Sequence, residues 1–264
     1  MATIVFLHAH PDDESISTGG TIARAVSQGH RVVLVVGTNG DHGETPADLA
    51  PGETLVDRRC SETEASCRML GVHRLVWLGY SDSGMTGWEQ NAHSNAFMNA
   101  DLDEAADRLV AVIDEEDADV LIGYDWHGGY GHPDHIMVHK VVHRAKEKRP
   151  DVALWEATMN RDRVRQRMEA AYEAGFLKDE DKWDVDGPAD DGNPFGSLES
   201  EITLMVDVRE WAATKRESVR CHASQVTDSS FFLSMDESQF SDAFGWEWFI
   251  RPGDPSPMRE GFIV

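Results

Sequence analysis

"MATIVFLHAHPDDE" occupies residues 1–14. Residues 3–9, "TIVFLHA", are apolar and partly β-branched, which reads as a short buried strand. "ESISTGGTIARAVSQG" (14–29) then reads as a helix that stops at Gly29. A buried strand feeding straight into a helix opens a βαβ unit. The same alternation continues down the chain. Strands are expected at 31–38, 74–79, 118–125 and 152–158, and helices at 52–71, 100–117 and 132–148. Right-handed crossovers then give a parallel sheet with helices on both faces, a Rossmann-like α/β fold.

Beyond this core the pattern thins. The acidic stretch 178–198, with its Gly and Pro, reads as a loop or lid. Residues 201–208 read as a strand, 209–223 as a helix and 245–250 as a late strand. The expected organisation is one domain, with a core over 1–175 and a smaller extension over 176–264 packed on it.

The chain of 264 residues carries 24 Lys and Arg against 48 Asp and Glu, a net charge of −24. Such a surface repels phosphates and anionic membranes, so nucleic acid and membrane are set aside as partners. No apolar run approaches the ~20 residues of a membrane span, and the start shows no basic-then-apolar leader. Cys60 and Cys67 lie two turns apart on an expected helix, about 10 Å, too far for a disulfide. With Cys221 the count is odd, so the expectation is reduced thiols in a cytoplasm.

The crowding of "HAHPDDE" (8–14) is the first sign of function. In open parallel sheets, ligands bind outside the carboxyl ends of strands. Pro11 keeps His10 extended, so His10 and Asp13 can converge while Asp12 approaches separately. No G-x-G-x-x-G loop is present there, which excludes a dinucleotide fingerprint. A polar turn with Asp12 or Asp13 capping the helix is the plainer reading. A second cluster tips the balance. "YDWHGGYGHPDH" (124–135) closes the fourth expected strand, with His132 and His135 three apart on the first helical turn. His10, Asp13 and one of His132 or His135 would make a two-imidazole, one-carboxylate set. That set suits a catalytic Zn²⁺ with an open position for water, and Fe²⁺ or another divalent ion as well. His135, His139 and His143 form a stripe spaced by four, read here as a partly buried helix face; the alternative is a metal-binding His135–His139 pair, which no other residue in the sequence supports. Trp126 is expected in the core.

"AHPDDE" (9–14) paired with "GHPDH" (131–135) resembles the LmbE-like, or PIG-L, deacetylases. Echoes follow in order at 37–44, 58–72, 78–85 and 215–225, so the resemblance spans most of the chain. Its details look most like the branch that handles mycothiol, although "DWH" (125–127) and residues 86–99 depart from it. The resemblance implies a zinc-dependent hydrolase that removes an acetyl group from a small-molecule N-acetylglucosamine-type substrate. It assigns His10, Asp13 and His135 as metal ligands and Asp12 as general base. It makes His132 the acid or oxyanion stabiliser, oriented by Asp134, with Tyr130 assisting. Arg59 and Asp82 fall at places that look like sugar contacts. For Arg59 the alternative is an ion pair with Glu62, and for Asp82 an Asx turn. Competing functions are an amidase of mycothiol-like thiol conjugates and a non-catalytic metal- or sugar-binding protein. His222 and Gln225 have no role that the sequence supplies, and nothing in it bears on oligomeric state.

Overall fold

The computed structural model describes residues 1–173, 175 and 184–264. Five strands come first: β1 (Thr3–His8), β2 (Arg31–Thr38), β3 (Arg74–Tyr80), β4 (Val120–Tyr124) and β5 (Ala153–Thr158). They pair in parallel in the order β3-β2-β1-β4-β5. β1 and β2 are nearly continuous apolar runs, and their inner residues are fully buried. That is what a strand covered on both faces requires.

Helices α1 (Asp13–Ser27), α2 (Leu55–Leu70), α3 (Leu102–Glu116) and α4 (Pro133–Lys148) make the crossovers. α3 packs with α4, while α1 and α2 pack with α6 (Ala212–Arg220) from the C-terminal part. α2 begins at a Thr54–Asp57 capping box and ends at Gly71 in the left-handed region, so both ends are chemically marked.

The expected late strands are β6 (Leu204–Asp207) and β7 (Trp246–Ile250), joined by a short β8 (Arg259–Glu260). They extend the same sheet beyond β5 in the order β7-β6-β8. β7 runs antiparallel to both β5 and β6, so the eight-stranded sheet is mixed. Helices α5 (Arg161–Glu173) and α7 (Glu237–Phe244) are additions to the expected pattern. α5 buries none of its residues, so its sequence carries little apolar periodicity. α7 did carry a start signal, the Asp236–Gln239 capping box.

The stretch expected as a loop or lid lies partly outside the described residues, at 178–183. Its described part, 184–198, is turns and bends apart from a single parallel bridge between Ser197 and Asn160. It touches the loop after β4, where Asp190 N–H donates to the Tyr130 carbonyl at 3.0 Å. No described helix is long and apolar enough to cross a membrane.

Candidate metal centre and active site

Strand order reverses between β1 and β4, the neighbours at the centre of the sheet. Their carboxyl ends splay apart there and leave a crevice. β1 delivers His8–Glu14 to it and β4 delivers Tyr124–His135, so both sequence clusters meet.

Three ligand atoms converge. His10 Nδ1 lies 3.3 Å from Asp13 Oδ2, and His135 Nε2 lies 3.3 Å from the same oxygen. Neighbouring ligands of a tetrahedral ion with bonds near 2.0 Å sit about 3.3 Å apart, so both separations from Asp13 fit a zinc-sized cation; ring nitrogens of His10, His132 and His135 also gather within 4.8 Å of one another. His135 Nε2 is buried and has no hydrogen-bond partner among the described residues. An unpartnered buried nitrogen is costly without a ligand. Its other nitrogen, Nδ1, meets the Gly128 carbonyl at 3.0 Å, which sets the tautomer that leaves Nε2 free to bind metal. Gly128 makes this contact possible. A Cβ there would stand 2.2 Å from His135 Cβ, and its φ is +65°. Burial works to raise the Asp13 carboxyl, but His135 and His10 beside it hold it well below the usual carboxylate range.

His132 is close by, its ring 4.6 Å from His10 and 5.3 Å from His135. Its Nδ1 accepts the backbone N–H of Asp134 at 3.1 Å, so its proton resides on Nε2. Burial and the neighbouring imidazoles of His10 and His135 push it down to about 3, which keeps it neutral. The Asp134 carboxylate was expected on His132. Instead it lies 3.1 Å from His10 Nε2 and accepts from Ser83 N–H at 2.8 Å and from Ser83 Oγ. The reason is local: the first turn of α4 presents the Asp134 side chain across the crevice, and only its backbone N–H to His132. Asp82 lies 3.5 Å from the same His10 nitrogen and accepts from Gly84 N–H in an Asx turn. Burial alone would lower His10, but Asp82, Asp13 and Asp134 around it raise it well above its ordinary value. Tyr130 stands edge-on to His135 at 4.8 Å.

Asp12 sits at the mouth of α1 with φ 97°, rare for a residue other than glycine. Its side chain makes no cap bond; the turn is held from outside. Arg59 Nη2 donates to the Pro11 carbonyl at 2.6 Å and to Asp12 Oδ2 at 3.2 Å, while Nη1 reaches the Gly40 carbonyl at 2.9 Å. The Arg59–Glu62 pair is absent, because Glu62 is engaged by the N–H and Oγ of Ser224. The Asp12 N–H donates to Glu14 Oε2 at 3.1 Å. Glu14 Oε1 in turn meets His222 Nε2 at 2.7 Å, Ser66 Oγ at 2.5 Å and Ser15 Oγ at 2.9 Å. Burial raises the Asp12 carboxyl to about 6 against the pull of Arg59, with Asp13 adding to the rise.

The segment 222–225 thus gains a role. His222 bonds Glu14, Ser224 bonds Glu62 and Gln225 bonds the backbone of Glu44 on both sides. It staples the C-terminal part to three pieces of the N-terminal half. Its partners are 162 to 208 residues away, so no local signal could have shown this. Trp126 corrects the expectation of a core residue: it is 55% exposed, tilted over the His127 ring at 4.6 Å. It sits at a turn whose backbone is folded inward by Asp125, and the side chain is left outside.

Residues 5–146 match the PIG-L family, described as GlcNAc-PI de-N-acetylase. Over 98% of its length the chain is 39% identical to a 1D-myo-inositol 2-acetamido-2-deoxy-alpha-D-glucopyranoside deacetylase of Acidothermus cellulolyticus, covering 92% of it. It is 40% identical to the deacetylase of the same description from Streptomyces avermitilis, over 97% of this chain and 94% of that one. Among solved structures it resembles an A40926 pseudoaglycone deacetylase, with TM-score 0.60, 18% identity, and 95% and 96% of the two chains covered. It also resembles N,N'-diacetylchitobiose deacetylase from Pyrococcus horikoshii, with TM-score 0.55, 23% identity, and 86% and 72% covered. At those identities the two structures speak for the fold alone. Motifs, crevice and relatives agree: the chain belongs to the PIG-L family and is a hydrolase of the deacetylase type.

Proposed function

We propose that the chain removes the acetyl group from an N-acetylglucosamine unit joined to inositol, with one divalent metal ion, Zn²⁺ first among them. The observation that carries this is the His10–Asp13–His135 convergence with Asp12 on a strained turn beside it. The named activity of its relatives supports the substrate. His10, Asp13 and His135 would hold the ion. When bound, it would polarise the acyl carbonyl and lower the pKa of water at its open position.

Asp12 takes the proton of the attacking water. A carboxyl raised to about 6 is a better base near neutral pH than an ordinary one. His132, neutral with its proton on Nε2, offers an N–H to the carbonyl oxygen as negative charge grows there. Burial keeps the Tyr130 phenol protonated, so it can donate to the same oxygen. Asp12 then returns its proton to the leaving nitrogen as the C–N bond breaks, giving acetate and a free amine. Asp134 orients His10 from behind. Arg59 first holds the Asp12 turn, and with Asp82 it offers polar atoms to sugar hydroxyls. We read residues 1–175 as the catalytic core and 176–264 as an extension that completes its support. A cytoplasmic setting is consistent with three free thiols.

The test is a substrate panel: N-acetylglucosaminyl-inositol, other N-acetylglucosamine conjugates, and an amide-linked thiol conjugate. Fastest acetate release from the inositol conjugate is expected. Faster cleavage of the thiol conjugate's amide would make the chain an amidase instead.

A further inference from the structure

One turn beyond His135 on α4, a second set of ligand atoms gathers. His139 and His143 lie four apart, so they share a helix face, and their ring centroids are 4.3 Å apart. Glu156 projects from β5, and its Oε1 is 2.6 Å from His143 Nε2 and 3.2 Å from His139 Nδ1. These three atoms lie within 4.8 Å of one another. The Tyr124 carbonyl oxygen is 3.1 Å from the same His139 nitrogen.

A plain ion-pair reading accounts for part of this. Glu156 is the one charged residue in β5, its side chain is only 9% exposed, and two imidazoles face it. It does not account for His139. Its Nδ1 carries at most one proton, yet two oxygens stand at 3.1 and 3.2 Å from it. One proton shared between two acceptors makes two weak bonds. A cation in the same place would be bound by both oxygens and by the nitrogen.

We infer that His139, His143 and Glu156, with the Tyr124 carbonyl, form a second divalent-metal site separate from the His10–Asp13–His135 centre. Two imidazoles with a carboxylate favour Zn²⁺, Ni²⁺ or Cu²⁺ over Ca²⁺ and Mg²⁺. The 3.1 and 3.2 Å separations approach the ~3.3 Å between ligands of a tetrahedral zinc. The 2.6 Å pair is a hydrogen bond and must open on binding. His143 has room for this, because its side chain is 37% exposed. Binding displaces the imidazole protons to solvent. The ion reaches the site from outside, past His139, which is 21% exposed. Tyr124 adjoins both centres, since its ring stacks on His135 at 4.6 Å.

The test counts metal. The full chain is stripped with chelator, reloaded with Zn²⁺, passed over weak chelating resin to remove loosely held ions, and assayed by mass spectrometry of the metal. Wild type is expected to retain two zinc ions per chain. His143→Gln should retain one and keep wild-type acetate release. His135→Gln should also retain one, now at the second site. Reloading with Co²⁺ gives a second readout: the visible spectrum of wild type should lose one component in His143→Gln. A wild-type chain that saturates at one ion, lost in His135→Gln, would overturn the proposal. So would a His143→Gln chain that still holds two.

Discussion

Asp12 carries the most specific demand that the site makes of a single residue. It occupies a backbone conformation that costs of order 1–3 kcal/mol for a side-chain-bearing residue. Glu14 and Arg59 hold it there from opposite sides. Asp12→Asn is expected to lower kcat by about 10²–10⁴-fold while zinc content stays at the wild-type level. Retained turnover would remove Asp12 from the role of base. Its protonation also sets the acid side of the pH profile. The base form is needed, so kcat/KM falls as pH drops through the Asp12 pKa. Burial raises that value to about 6, and a cation beside it draws it back down. The acid limb of kcat/KM is therefore expected at or below about pH 6; a limb centred well above neutrality would contradict the assignment. His222 tests the support of the same turn. His222→Ala removes one partner of buried Glu14 and loosens the carboxylate that holds the Asp12 N–H. A shift of about 1 Å in a catalytic group can cost ~10²-fold. The expected result is a fall in kcat with KM and zinc content unchanged, partly restored in His222→Gln, which keeps an N–H donor. Equal kcat in both variants and wild type would show that Glu14 holds the turn unaided.

At the scale of elements, the molecule depends on one buried ion pair to seat α1 against the added strands. Glu247 of β7 accepts from Lys215 Nζ at 2.6 Å and from the backbone N–H groups of Gly20 and Thr21. Both side chains are almost fully buried. Glu247→Ala leaves Lys215 charged and unpaired in the interior, a loss of about 3–5 kcal/mol. Urea unfolding at neutral pH measures it, and a change below about 1 kcal/mol would mean the pair behaves like a surface one. These elements also show what the sequence made legible. β1, β2 and α4 were readable because their apolar runs, caps and motifs are local. The meeting of His10, Asp13 and His135 was readable because each motif sits beside a strand end. The position of the Asp134 carboxylate was not, because Ser83 and His10 are 51 and 124 residues away. Neither was the antiparallel turn of β7, since strand order in a mixed sheet depends on pairings that no window of sequence contains. α5 left no such signal, because a helix with no fully buried residue needs no periodic apolar pattern.

The whole molecule carries a net charge of −24, and that charge repels itself in the compact state. Exposed ion pairs such as Arg144–Asp103 and Lys148–Asp107 relieve this only locally, and such pairs contribute little each. Added sodium chloride, from about 0.05 to 0.5 M, shortens the screening length to a few ångström and is expected to raise Tm. A lower Tm would show that the surface pairs outweigh the repulsion. At this scale the function depends on the junction of β1 and β4 being a metal-dependent deacetylase site. Acetate release from N-acetylglucosaminyl-inositol, measured on chelator-stripped protein before and after Zn²⁺ is added back, tests that most directly. Release should fall to background on stripping and return with Zn²⁺. Full release from the stripped protein would contradict the account.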